Sequence, residues 1–253
     1  MVAEHQSLVH KKSISPENVV FTPGAKPIMF FTIMSLIDEG DEVIYPNPGF
    51  PIYESMINYV GGKPVPMELK EEKGFNADVD LIEESITSRT KLIILNSPNN
   101  PCGSVMDSSD IARIAEIAKK NDIVILTDEV YKDLYFEGSH ESVFDFEGME
   151  DRVIILDGFS KSYAMTGWRL GYGVFPKNFV EPISRLITNS VSCTSSFGQM
   201  AAKAAILGPQ DSVLNMKEEF RARRDIVVNG LNDIKGISCI NPKGAFYAFP
   251  NIK

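Results

Sequence analysis

The sequence predicts an α/β fold, a three-layer sandwich whose mostly parallel central sheet is covered by helices on both faces. Three observations carry this expectation. The runs Lys91-Leu92-Ile93-Ile94-Leu95, Ile123-Val124-Ile125-Leu126 and Val153-Ile154-Ile155-Leu156 are almost continuously apolar, which a strand shows when both of its faces are buried. Segments of helical period separate them, the alternation that builds a parallel sheet. Polar residues cluster just after the runs, where open α/β sheets collect ligands.

Each element follows in order. Val19-Val20-Phe21 is a short strand stopped by Thr22-Pro23-Gly24, and Pro27 to Ile37 is an apolar helix ending near Gly40. Glu42 to Tyr45 is the next strand, closed by Pro46-Asn47-Pro48. Ile52 to Tyr59 predicts a helix ended by Gly61-Gly62. Lys63 to Met67 predicts an edge strand, because Pro64 and Pro66 remove its donors. Asp80 to Ser88 predicts a helix with Leu81, Ile82 and Ile86 on the core. After the strand at Lys91–Leu95, Asp107 or Ser108 caps a helix in which Ile111, Ile114, Ala115 and Ala118 recur at helical spacing. Arg169 to Val174 returns as a strand. Glu218 to Arg224 is a solvated helix face with internal charge pairing.

Composition narrows the function. With 253 residues, 43% of them apolar, the chain can bury one large core. A net charge of -9 with dispersed basic residues argues against nucleic acid or an anionic membrane as partner. The three cysteines Cys102, Cys193 and Cys239 are too few and too odd in number for a disulfide framework, which points to a reducing compartment. Met1 to Lys12 has no apolar signal-peptide core, and no run is long enough for a membrane span. His5, His10 and His140 form no H-E-x-x-H, and Ser160 has no G-x-S-x-G setting, so metal and serine-hydrolase chemistry are disfavoured.

The most informative stretch is Asp157-Gly158-Phe159-Ser160-Lys161, followed by Arg169. A lysine after a buried strand can form an imine while an arginine eight residues on holds an anion, an arrangement that suits pyridoxal phosphate. A surface Lys and Arg flanking a turn is the bland alternative. Gly24-Ala25-Lys26 follows a strand and opens a helix, so its backbone N–H groups can surround a phosphate. Asp128, at a strand end, can pair with a protonated pyridine nitrogen or instead hold a loop amide. Tyr131 and Asn100 can reach the cofactor's phenolic oxygen, or respectively pack in the core and satisfy a turn. Phe50 can cover the ring face, or pack in the core.

These motifs together resemble the fold-type-I, class I/II pyridoxal-phosphate-dependent aminotransferases, especially the branch similar to prokaryotic aspartate aminotransferases. The resemblance rests on Thr22-Pro23-Gly24-Ala25-Lys26, on Tyr45-Pro46-Asn47-Pro48-Gly49-Phe50-Pro51-Ile52-Tyr53, and on Ser97-Pro98-Asn99-Asn100-Pro101-Cys102-Gly103, with cysteine where threonine is usual. Asp128-Glu129-Val130-Tyr131 and Ser160-Lys161 through Trp168-Arg169-Leu170-Gly171-Tyr172 complete it. It covers the chain from about Pro16 to Phe249.

The resemblance implies roles. Lys161 carries the Schiff base and moves the proton, and Asp128 and Tyr131 are its catalytic partners. Gly24, Ala25, Lys26, Phe50, Asn100, Ser160 and Arg169 join these three in binding pyridoxal 5'-phosphate, with Gly158 where many relatives place another phosphate-binding serine. It implies residues 1–15 as a remnant N-terminal helix or linker, 16–205 as the cofactor-binding large domain, and 206–253 as an interdomain helix and the start of a small domain. Substrates would be an amino acid and a 2-oxo acid, in a cytoplasmic homodimer whose contact the Pro27–Ile37 helix could help to form. The family's carboxylate-gripping arginine has no counterpart here, since Arg221, Arg223 and Arg224 precede its place. The expectation is therefore that both edges of the family unit are missing and that turnover is impaired. The alternatives are a noncatalytic cofactor-binding or interaction domain, or a lyase or racemase on the same scaffold.

Overall fold

Seven strands form one sheet: β1 (Val19–Pro23), β2 (Glu42–Asn47), β3 (Lys63–Glu68), β4 (Thr90–Asn96), β5 (Val124–Asp128), β6 (Val153–Gly158) and β7 (Leu170–Val174). The computed structural model describes residues 1–252. The strand order is β1-β7-β6-β5-β4-β2-β3. The β2, β3, β4, β5 and β6 pairings are all parallel, and β7 runs antiparallel to both β6 and β1. The sheet is thus mostly parallel, as its continuous apolar runs predicted. β3 has a single neighbour, which makes Pro64 and Pro66 tolerable there.

Among the described residues, eight α-helices accompany the sheet: α1 (Val2–His10), α2 (Lys26–Leu36), α3 (Ile52–Tyr59), α4 (Val79–Ser85), α5 (Ser108–Lys120), α6 (Lys177–Val191), α7 (Ser196–Leu207) and α8 (Asp211–Asn232). A two-stranded sheet, β8 (Ile237–Ser238) with β9 (Asn251–Ile252), follows. Lys253, the last residue of the expected 206–253 unit, lies outside the described residues. Successive strand residues feed opposite cores. Ile93, Leu95, Ile125, Val153 and Ile155 pack with α4 and α5, whereas Leu92, Ile94, Leu126, Ile154 and Leu156 pack with α2, α3 and α6. Both faces are sealed, so period 2 is invisible in the sequence.

Some details depart from the sequence reading. In α4, Val79 and Ile82 are buried but Leu81 is exposed, because residues two apart on a helix point to opposite sides. Asp107 occupies the N-cap of α5, yet its side chain makes no capping bond. On α8, Arg221 and Arg223 pair with Glu218 and Glu219 as expected. Arg224 instead turns inward, with its guanidinium 5.0 Å from the Phe136 ring centroid and Nη1 bonded to Glu137 and the Pro242 carbonyl. Finally, α2 buries Ile28, Met29, Phe31 and Ile33 inside this chain's own core and leaves Met34 exposed.

Candidate active site

The parallel strands β4, β5 and β6 end side by side, with Asn96 in register with Asp128. Outside those ends lies a cavity of about 290 Å³. Of the residues singled out from sequence, Ala25, Lys26, Phe50, Asn100, Asp128, Tyr131, Ser160, Lys161 and Arg169 all line it. Gly24 sits just beneath: a Cβ built there would come within 2.1 Å of Arg169 Nη2. With φ +85, Gly24 also has a backbone that a side chain would strain. The approach of the guanidinium to the turn opening α2 therefore depends on glycine.

Arg169 is placed by its own backbone and by two carbonyls. Its φ of 54 and ψ of 58 are left-handed, a costly conformation for arginine that persists at over-determined sites. Nη1 donates to Thr166 O at 2.9 Å and Nη2 points to Pro23 O at 3.5 Å. Its guanidinium and the Ala25–Lys26 turn that opens α2 line the cavity together, a donor set suited to a phosphate. Gly158 lines the wall nearby. A Cβ there would meet the Leu170 carbonyl at 3.0 Å and Gly171 Cα at 3.1 Å, which gives a steric reason for glycine at this position.

Asp128 is buried without a cationic hydrogen-bond partner. Its Oδ2 accepts from Tyr53 Oη at 2.8 Å and its Oδ1 takes a long bond from Val130 N–H at 3.4 Å. The loop-amide role considered for it is therefore present alongside exposure to the cavity. Burial raises its carboxyl to about 6, against the opposing effect of the Tyr53 and Val130 bonds. A cation arriving in the cavity would relieve that penalty.

Lys161 lies across the cavity, its Nζ 5.5 Å from the Tyr131 ring centroid and 5.4 Å from that of Phe246. Burial lowers its ammonium below the ordinary lysine range, with Asp128 opposing and Arg169 reinforcing the shift. A larger neutral fraction makes it a better nucleophile. Asn100 is free for the cavity because its neighbour serves the turn: Asn99 Oδ1 accepts from Cys102 N–H at 3.0 Å. Phe50 forms one wall, edge-on to Tyr53 with centroids 6.0 Å apart. Among the described residues, no three His, Cys, Asp or Glu side chains are grouped to hold a metal ion.

Three site residues escaped the sequence reading. Tyr53 stands at the end of the Tyr45–Tyr53 motif, where nothing local announces that its hydroxyl donates to Asp128. Asn96 lines the cavity, and its Nδ2 donates to the Asp128 carbonyl at 3.0 Å; the strand-end rule that singled out Asp128 applies to it equally. Tyr247 closes the cavity from a segment 116 residues after Tyr131, and no local signal announces it.

Comparison with known proteins agrees with this geometry. The family model for aminotransferases of class I and II matches residues 2–253. The aspartate aminotransferase of Sulfolobus acidocaldarius is 38% identical over 251 residues, covering 98% of this chain and 62% of that protein. That of Sulfurisphaera tokodaii is 39% identical over 253 residues, covering 99% and 63%. The chain thus spans less than two thirds of the length of these curated relatives. Among solved structures, the aromatic aminotransferase from Pyrococcus horikoshii superposes with a TM-score of 0.95 at 33% identity, covering 98% of this chain and 68% of that one. The Thermus thermophilus aspartate aminotransferase with maleate gives 0.93 at 32%, covering 98% and 65%.

Proposed function

The chain belongs to the class I and II aminotransferases, and from that premise we propose that it holds pyridoxal 5'-phosphate on Lys161 and moves an amino group between an amino acid and a 2-oxo acid. The observation that carries this reading is the convergence of Lys161, Asp128 and Arg169 on one cavity at the strand ends. When bound, the cofactor supplies an electron sink for the charge left as a proton leaves the amino acid's α-carbon.

The chain's own residues do the rest. Arg169, Ser160 and the Gly24–Lys26 turn anchor the phosphate. Asp128, ionised once a pyridinium faces it, keeps the ring nitrogen protonated, and Tyr53 holds the carboxylate in place. Tyr131 and Asn100 donate to the phenolic oxygen, and Phe50 covers one ring face. Lys161, its basicity lowered by burial, is the group that moves the proton at the substrate carbon. Neighbours of the same fold are named for aspartate, aromatic and alanine substrates, so choice of amino acid would lie with side chains at the cavity mouth.

The same reading places the cofactor unit at residues 16–205, with 1–15 as a leading helix and linker and 206–253 as an interdomain helix with a smaller unit. It includes a homodimer in a cytoplasmic setting. Three free cysteines, two of them buried, suit a reducing compartment. The decisive experiment is borohydride reduction of the cofactor-loaded protein followed by peptide mass analysis. The pyridoxyl group is expected on Lys161, and labelling confined to other lysines at saturating cofactor would overturn the assignment.

A further inference from the structure

Tyr247 belongs to none of the roles above, yet its hydroxyl lies 2.5 Å from that of Tyr131 and its side chain lines the same cavity. The two rings meet edge to face, with centroids 5.6 Å apart. The position is built from the backbone outward. Lys243 and Gly244 N–H donate to the Gly103 carbonyl at 3.0 and 3.1 Å, Ala245 N–H donates to Leu134 O at 2.9 Å, and Phe136 N–H donates to Lys243 O at 2.8 Å. The segment is thereby stapled between the Asn99–Gly103 turn and the stretch that follows Tyr131. Gly244 permits the pinch, since a Cβ there would lie 2.6 Å from Pro98 Cγ. Tyr131 is itself buried, and these bonds fix the backbone that carries Tyr247 beside it.

A phenol carries one proton and two acceptor lone pairs. If Tyr131 gives its proton to the cofactor's phenolic oxygen, its own oxygen must accept in the contact with Tyr247. A bond received there polarises the Tyr131 O–H and strengthens the bond it gives. Burial pushes the Tyr131 phenol well above its ordinary range, which keeps it protonated and able to donate. The charged and titratable groups facing the pair are Asp128, Tyr53 and Lys161, with Arg223 and Arg224 lining a cleft behind Tyr247.

We propose that Tyr247 is a positioning residue of the cofactor site: its hydroxyl donates to Tyr131 and aims the Tyr131 proton at the cofactor's phenolic oxygen. The inference rests on the assignment of Lys161 and Tyr131 given under the proposed function. Its consequence is spectroscopic. A strong donor to the phenolic oxygen competes with the proton on the nitrogen that joins Lys161 to the cofactor, so it lowers the pH at which that nitrogen deprotonates.

The test is a pH titration of the visible cofactor band in four proteins: the parent, Tyr247→Phe, Tyr131→Phe and the double variant. Tyr247→Phe is expected to raise the midpoint by about half a pH unit, and to have no effect when Tyr131 is already Phe. Tyr247→Leu carries the same expectation and serves if the Phe variant takes up no cofactor. An unmoved midpoint, or an equal shift in both backgrounds, overturns the proposal. Borohydride labelling away from Lys161 overturns the underlying reading and this inference with it, whereas labelled Lys161 with an unmoved midpoint overturns the inference alone.

Discussion

A carboxylate sealed behind a strand end must find either a proton or a cation, and Asp128 has no cation within the chain's own hydrogen bonds. Burial lifts it from the ordinary 3.8 to about 6. In the cofactor-free protein the folded state therefore binds this proton more tightly than the unfolded state, and stability falls as pH rises from about 4 to about 6. The gap corresponds to a loss of about 3 kcal/mol. Asp128→Asn is expected to abolish that fall and to make the cofactor-free protein more stable at neutral pH, while weakening cofactor binding. Urea midpoints of both proteins across this pH range check it; parallel curves would refute it. Asp128, Lys161 and Arg169 were legible in the sequence because each follows or flanks an apolar strand within a short motif. Tyr53 and Tyr247 were not, because their partners lie 75 and 116 residues away, and a hydroxyl contact across such a distance has no period or spacing.

Between elements, the fold depends on close approaches that only the assembled chain reveals. Gly171 on β7 faces the turn opening α2, and a Cβ there would fall 2.2 Å from Ala25 N and 2.3 Å from Gly24 C. Gly171→Ala must push that turn aside, and the turn carries the proposed phosphate cradle. We expect a stability loss of about 2 kcal/mol together with at least roughly tenfold weaker cofactor binding, read by urea unfolding and equilibrium dialysis. Gly167→Ala, with nothing within 4 Å, should change neither; equal effects at both sites would remove the steric argument. A second tie is the buried pair of Lys132 and Asp157, 2.8 Å apart. Burial alone would lower the Lys132 ammonium, but Asp157 and Asp133 outweigh it and hold it well raised. This pair joins the segment after Tyr131 to the strand leading to Lys161. The strands were legible because apolar runs record burial directly, whereas Lys132 and Asp157 read only as ordinary polar flanks until the sheet brought them together. Leu81 was misplaced for a related reason: α4 is only seven residues long, too short for its period to reveal which apolar side chain faces out.

At the scale of the whole molecule, the apolar surface is unevenly distributed. On α7, Phe197, Met200 and Leu207 are 76%, 64% and 65% exposed, and their spacing of three and seven residues places them along one stripe of the helix. A contiguous exposed apolar stripe marks an association surface more often than a solvated one. We therefore expect α7 to take part in the contact, beside any share of α2, whose Met34 is exposed although most of its apolar residues pack in the core with α3 and α6. The net charge of -9 opposes self-association, so burial of this stripe must outweigh like-charge repulsion for a dimer to form. Added salt would screen that repulsion. Light scattering over a concentration series is therefore expected to show mass rising toward twice that of one chain, at lower protein concentration when salt is added. Phe197→Asp places a charge on the most exposed side chain of the stripe and should shift the rise to at least roughly tenfold higher concentration. A species that stays monomeric at high concentration would reject the homodimer, and unchanged association in the Phe197 variant would move the interface away from α7.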